Sequence, residues 1–370
     1  MLDLAKDVPF CVSVERDRRI VAALPRLQKR NSMPRLMALI LNFAVAVIMA
    51  ALTAWCSLAL WYRLPLPDAG RAIGAGVFLV FGLITVAALA SRLRMRAILS
   101  FAVVFAPVLF WWNSIKPEAN AAWAPDVARQ VTGRVDGNSL TLTDVRDFGW
   151  RSNSDFTERW TTRTYDVSKV KTVDLFMSYW AGPKIAHVIF SFGFEGGEQL
   201  AWSIEVRHKV GGAFSPLADL FKNDPLVILA ADERDVVGVR SNVRGEDVQI
   251  YRLRASPEQA RNLLLEYVAG ANALAQTPQF YNSITTNCTT TVAKLMRVAG
   301  DKVPFDWRLI VNGYLPDYAY DRGAIDTSMP LARLREISKI DERARADGLS
   351  PNFSKAIRLG VPAPAAVATP

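Results

Sequence analysis

Three stretches of the chain contain no charged side chain: residues 36–62 (LMALILNFAVAVIMAALTAWCSLALWY), 72–91 (AIGAGVFLVFGLITVAALAS) and 97–115 (AILSFAVVFAPVLFWWNSI). Crossing the hydrocarbon core of a bilayer takes roughly 20 apolar residues, which each stretch supplies. A core helix of a water-soluble domain keeps a polar face, and these segments have none. The pattern therefore predicts three membrane-spanning helices over residues 36–115. Lys and Arg in the short flanks set the orientation. Arg26, Lys29, Arg30 and Arg35 precede the first span, and Arg92, Arg94 and Arg96 lie between the second and third. The loop RLPLPDAGR holds only Arg63 and Arg71 against Asp68. Residues 1–35 and the second loop are thus expected on the cytoplasmic side, and everything after residue 116 on the outer side. Trp61, Tyr62, Trp111 and Trp112 fall at the expected outer ends, where amphipathic rings anchor spans. Residues 1–35 hold no apolar run, so they do not read as a cleavable signal peptide, and Met1 and Met33 are both candidate starts.

Beyond the spans the period changes. Residues 116–132 read as a linker leaving the membrane. SLTLTDVRDF, RTYDVSKV, TVDLFMSYW, IAHVIFSFGF, QLAWSIEVR, LVILAADERD and VQIYRLR then alternate apolar and polar positions, which predicts strands. Gly196 and Gly197 mark a hairpin turn between the strands that carry His187 and Glu205. A two-residue turn pairs His187 with Val206; a three-residue loop brings Glu205 opposite His187. A helical period follows in SPEQARNLLLEYVAGANAL, with Ser256 as N-cap, Pro257 at the first position and Gln259 completing a capping box. A second helix begins at Cys288, with Val292, Leu295, Met296 and Ala299 on one face and Gly300 as its C-terminal cap. The expected fold is α+β: three N-terminal transmembrane helices, then an antiparallel sheet with packed helices over residues 133–335. Residues 336–370 are expected to form a tail, the last ten (VPAPAAVATP) with the composition of disorder.

Composition refines this outline. The net charge is +9, but its positive residues flank the spans or mix with acids, and no nucleic-acid motif is present. Nucleic acid is therefore not an expected partner; the charge suits topology and contact with anionic lipid. No metal-ligand spacing and no phosphate loop appears, so no cofactor is expected. Oligomeric state is left open.

The chain has three cysteines and two histidines. Cys11 lies in the N-terminal segment and Cys56 within a span, which leaves Cys288 alone in the outer part. A lone thiol in an oxidising compartment is either a buried small hydrophobe or a reactive group. Asn287 is a good N-cap, and a thiol in the first turn sits against free N–H groups and the positive end of the helix dipole. The same groups can hold an oxyanion. His187 is the candidate base, against the alternative of a satisfied strand histidine. Glu205 is the candidate orienter, against a surface pair with Arg207, and Ser203 is the next polar candidate. His208, beside Lys209, reads as surface.

The segment from RDFGWRSNSDFTERW through AHVIFSFGFEGG, then WSIEVR, DERD and YNSITTNCTTTV, resembles the Lnb N-terminal periplasmic domain family over roughly residues 135–321. The resemblance implies a permuted papain-like, NlpC-type fold, a bacterial inner membrane with the domain in the periplasm, and lipoprotein N-acylation chemistry. It assigns Cys288 as nucleophile and His187 as base, with Glu205 as third residue. One departure is that the spans here precede the domain. The expected function is a membrane-anchored cysteine acyltransferase that moves an acyl chain from phospholipid to a lipoprotein N-terminus. A papain-like peptidase or amidase, or a non-enzymatic binding module with Cys288 as filler, are the alternatives. Arg207, Arg234, Arg240 and Arg244 are either headgroup contacts or members of structural ion pairs.

Overall fold

The computed structural model describes residues 32–364 apart from 299 and 301; Cys11 and most of the N-terminal segment, and the end of the tail, lie outside the described residues. The three apolar stretches form helices α1 (Ser32–Arg63), α2 (Asp68–Ala88) and α3 (Arg94–Ser114). Their most apolar windows have mean hydropathies of 2.4, 2.0 and 1.8 and stay largely uncovered by protein, as surfaces meant for lipid do. Gly82 of α2 lets Thr53 of α1 come so close that an added Cβ would lie 2.2 Å from the Thr53 methyl, the small-residue contact that joins membrane helices. Thr53 turns its own hydroxyl back to the Met49 carbonyl (2.7 Å).

The outer domain is built on a sheet of β1 (Thr132–Asp136), β2 (Ser139–Arg146), β5 (Trp160–Asp166), β6 (Val170–Tyr179), β7 (Ala186–Phe194), β8 (Gln199–Val206), β9 (Leu226–Ala231) and β10 (Asp247–Arg252). A separate pair, β3 (Gly149–Trp150) and β4 (Phe156–Thr157), forms a small ribbon. The main sheet runs β1-β2-β9-β8-β7-β6-β10, with β5 on β2. The expected antiparallel character holds at every junction but one: Arg146 of β2 meets Ala231 of β9 in a parallel bridge. Strand β1 lies just past the expected linker, turning into β2 through Gly137 at φ +58.

Short helices α4 (Pro216–Asp219) and α5 (Glu233–Val236) interrupt the connections around β9. Helix α6 (Pro257–Gln276) starts at the expected capping box of Ser256 and Gln259. Its Leu263, Leu264, Tyr267 and Val268 are buried, and Tyr267 meets Phe190, Phe192 and Trp202 on one face of the sheet. Helix α7 (Cys288–Val298) packs on the same face, followed by α8 (Leu315–Asp321) and α9 (Leu331–Ser338).

The other face departs from expectation. Residues expected as a tail from 336 continue the domain: α10 (Asp341–Asp347) and α11 (Phe353–Ala356) cover Phe176, Ile189, Ala201 and Ile250 with Ile340, Ala344, Phe353 and Ile357. Arg358 then donates to Asp174 (2.8 Å) and Glu233 (2.8 Å), both fully buried. Helices of seven and four residues are too short to show a period, so the sequence pattern misses them. The expected linker is also partly packed, with Ala124 and Val127 buried and Trp123 bridged to Lys209.

The domain rests on the outer ends of the membrane helices. Phe221 stacks on Tyr62 (5.4 Å between centroids) and meets Trp112 edge-on (6.3 Å). Lys222 Nζ donates to the Trp112 carbonyl (2.7 Å).

Candidate functional site

The β7–β8 hairpin decides the first half of the site. Phe194 N–H donates to the Glu198 carbonyl and Gly197 takes φ +88, so the loop has three residues rather than two. Ile189 therefore pairs with Ser203, and the same register carried two residues further sets His187 opposite Glu205. The β7–β8 pairing itself ends at Ile189 and Ser203, two residues short of His187 and Glu205.

Ser203, Glu205 and His187 share one face. His187 Nε2 lies 2.7 Å from Ser203 Oγ and 3.1 Å from Glu205 Oε1. Ser203 Oγ donates to Glu205 Oε1 at 2.7 Å, so the serine accepts from a protonated Nε2. That commits Nε2 and leaves Nδ1 for the Cys288 thiol, which lines the same cavity and whose charged form the imidazole favours. Arg240 Nη2 holds the same Glu205 oxygen at 2.9 Å, and its Nη1 lies 3.6 Å from Glu246, which in turn receives the Ser178 hydroxyl.

Local sequence sets the second half. Asn287 Oδ1 accepts from the N–H groups of Thr289 (2.9 Å) and Thr290 (2.8 Å), so Cys288 is the first residue of α7 as expected. The Asn287 amide nitrogen is taken by the Ser283 carbonyl (2.8 Å), so the residue acts as a cap rather than as an oxyanion donor. Tyr281 lines the same cavity as Cys288 and His187.

The charges follow from these contacts. Burial opposes ionisation of Cys288, but the His187 hydrogen bond and charge outweigh it, with Val188 and Thr289 helping, and the thiol sits below its ordinary range. Burial and Arg240 work against a charged His187, yet Glu205 and the thiol leave its pKa raised. Burial likewise opposes the Glu205 carboxylate, but His187 and Arg240 hold it well below the usual range. These contacts shift both groups toward their charged forms, thiolate and imidazolium.

Cys288 is 5% exposed, yet it is not sealed in hydrocarbon: it lines a cavity of about 410 Å³ together with His187, Glu205 and Arg240. Arg146, Arg244 and Glu246 add charge to its wall, and Trp180, Ile185, Phe214, Pro216 and Ile310 add apolar surface. His208, read as a surface residue, is half-buried at the margin, 3.9 Å from Asp126. Two arginines read as headgroup contacts lie elsewhere. Arg207 donates to the Val127 carbonyl (3.2 Å) and stacks over Trp123; Arg234 pairs with Asp232 (3.4 Å) and Asp147 (3.6 Å). Both are structural, and Arg240 serves chiefly to hold Glu205.

Asn312 escaped the sequence reading. Its amide donates to the Ala186 carbonyl (2.7 Å) and to Thr289 Oγ1 (2.9 Å), while its oxygen accepts the Ala186 N–H (2.9 Å). Its Nδ2 also lies 3.7 Å from the sulfur. One buried amide thus ties the start of the histidine strand to the start of the cysteine helix. No local signal in VNGYLPDYAY marks it. Tyr281 was also missed, although its seven-residue distance from Cys288 was a place to look.

A thiol at a helix start, set against an imidazole from an adjoining sheet and carried on three membrane-length helices, defines a membrane-anchored α+β thiol-site domain. Residues 156–313 match the model of the Lnb N-terminal periplasmic domain. The match takes in Cys288, His187, Ser203, Glu205, Arg240 and Asn312. The protein is accordingly membrane-anchored with a periplasmic domain. Neither the curated proteins nor the solved structures give a match.

Proposed function

We propose that the protein is a periplasmic cysteine acyltransferase of the inner membrane, with its N-terminus cytoplasmic, that takes an acyl chain from a membrane phospholipid and passes it to an amine, the N-terminus of a lipoprotein. The observation that carries this reading is the Cys288–His187 contact, with Nε2 held by Ser203 and Glu205, in a cavity with an apolar wall beside the outer ends of the spans.

The thiolate attacks the ester carbonyl and forms a tetrahedral oxyanion. Collapse expels the lysolipid alkoxide, which takes the proton from His187, and leaves a thioester on Cys288. His187 then removes a proton from the incoming amine, which attacks the thioester, forms the amide and regenerates the thiol. Glu205 and Ser203 keep the ring turned and favour its charged form, while Arg240 keeps Glu205 ionised.

Mass spectrometry of the purified full chain after exposure to phospholipid vesicles tests this. A fatty-acyl increment on Cys288, released by hydroxylamine, is expected on the wild type and absent from Cys288→Ala and His187→Ala. Equal masses in all three would overturn the proposal.

A further inference from the structure

Six large apolar side chains stand at the mouth of the cavity or beside it with no protein cover: Trp180, Ile185, Phe214, Leu217, Ile284 and Ile310 are 37–49% exposed. Single exposed apolar residues are ordinary, but a cluster of this kind marks an interaction surface. Two loops carry three of the six, and both are tied to the membrane helices. In the first, Leu217 lies in α4, four residues before Phe221, the ring stacked on Tyr62 and set edge-on to Trp112. In the second, Ile284 follows Ser283, whose hydroxyl donates to the Pro216 carbonyl (3.0 Å). Four residues of helix rise about 6 Å. The headgroup layer outside the hydrocarbon is about as thick. With Tyr62 and Trp112 marking the outer boundary, Leu217 and Ile284 fall within that layer.

The apolar surface continues inward. Phe214 packs edge-on against Trp180 (5.9 Å) and against Tyr281 (6.2 Å), and all three line the cavity that holds Cys288. One loop, residues 214–221, thus carries apolar side chains both at the cavity wall and on the outer ends of α1 and α3.

We infer that the two loops around Leu217 and Ile284 insert into the outer leaflet and hold the cavity mouth open to lipid hydrocarbon, so that an acyl chain reaches Cys288 without crossing water. The second half of this inference rests on the acyltransferase reading; the insertion itself does not. The occupant is the bilayer rather than a soluble partner because the loop that exposes Leu217 is seated through Phe221 on Tyr62 and Trp112 at the ends of the spans, and Lys222, beside Trp112, adds a positive charge that suits an anionic leaflet.

The test uses the full chain reconstituted in phosphatidylethanolamine–phosphatidylglycerol vesicles. Leu217→Cys, Ile284→Cys and, as a control, Glu195→Cys are made with Cys11→Ser, Cys56→Ala and Cys288→Ser, and each is labelled with an environment-sensitive fluorophore. Glu195 is exposed at the far end of the β7–β8 hairpin, nine residues of extended chain from Ala186, or about 30 Å. Labels at 217 and 284 should be quenched by nitroxide-bearing acyl chains and be several-fold less accessible to iodide than the label at 195. Equal behaviour at all three positions would overturn the inference. Because these chains lack the Cys288 thiol, the result is independent of whether that thiol carries an acyl group.

Discussion

Glu205→Gln keeps the shape of the side chain and one acceptor oxygen, but removes the negative charge that faces His187 at 3.1 Å. At an effective dielectric near 20, a unit charge at 3.1 Å contributes about 5 kcal/mol. Arg240 competes for the same oxygen and the cavity admits solvent, so about half of that is the expected net loss. Roughly 2.7 kcal/mol corresponds to about a hundredfold smaller population of the thiolate–imidazolium pair. Arg240, stripped of its counter-ion, then faces the imidazole and acts in the same direction. The assay is the rate of Cys288 alkylation by iodoacetamide against pH, read on the Cys288 peptide so that the other thiols do not intrude. Both shifts widen the pH range in which the thiolate–imidazolium pair forms. The wild type should therefore keep reacting at lower pH than an ordinary thiol, the variant about a hundredfold more slowly there, and the two should converge at high pH. Superimposed profiles would mean that Glu205 does not set the charge of the pair, and the proposed roles of Ser203 and Arg240 would fall with it.

Three further outcomes follow from single contacts. Asn312→Ala leaves the buried N–H and C=O of Ala186 without their partners; at 1–3 kcal/mol for each orphaned group, thermal unfolding should report a loss of about 3 kcal/mol, with slower Cys288 alkylation in the folded protein. Arg358→Met uncovers two fully buried carboxylates, Asp174 and Glu233, and should cost about 3–5 kcal/mol; a chain ending at residue 335 should fail to give a stable domain on proteolysis. Asp219 is fully buried with neither carboxylate oxygen bonded to a described residue, and burial, with Asp224 adding to it, pushes its carboxyl up to about 7. An acid whose folded pKa is raised releases its proton more readily when unfolded, so its penalty grows as pH rises from about 4 to about 7. Between pH 5 and pH 8 the wild type should lose about 2–3 kcal/mol more stability than Asp219→Asn, seen as faster hydrogen exchange over residues 213–224.

The sequence by itself determined what depends on neighbours along the chain. Uninterrupted apolar runs specify membrane helices whatever surrounds them. The capping box at Ser256 and the N-cap at Asn287 specify helix starts because the bonds they make close within three residues. The alternation through β2, β6, β7 and β8 made the strands legible, and the scarcity of cysteine and histidine drew attention to Cys288 and His187. Tertiary structure decided what depends on one residue count or on distant contacts. Glycines at 196 and 197 allow two hairpin registers, and only the three-residue loop puts Glu205 rather than Val206 opposite the imidazole. Short helices α10 and α11 have too few turns for a period and become helices by covering the second face of the sheet. Asn312 acquires its role only when Ala186 and Thr289, 126 and 23 residues away, arrive together. Which arginines face the cavity was equally unreadable, because a guanidinium takes whichever carboxylate or carbonyl the fold brings within reach. Hydrophobic period and capping are local energies, whereas the site is a meeting of elements that only packing brings together.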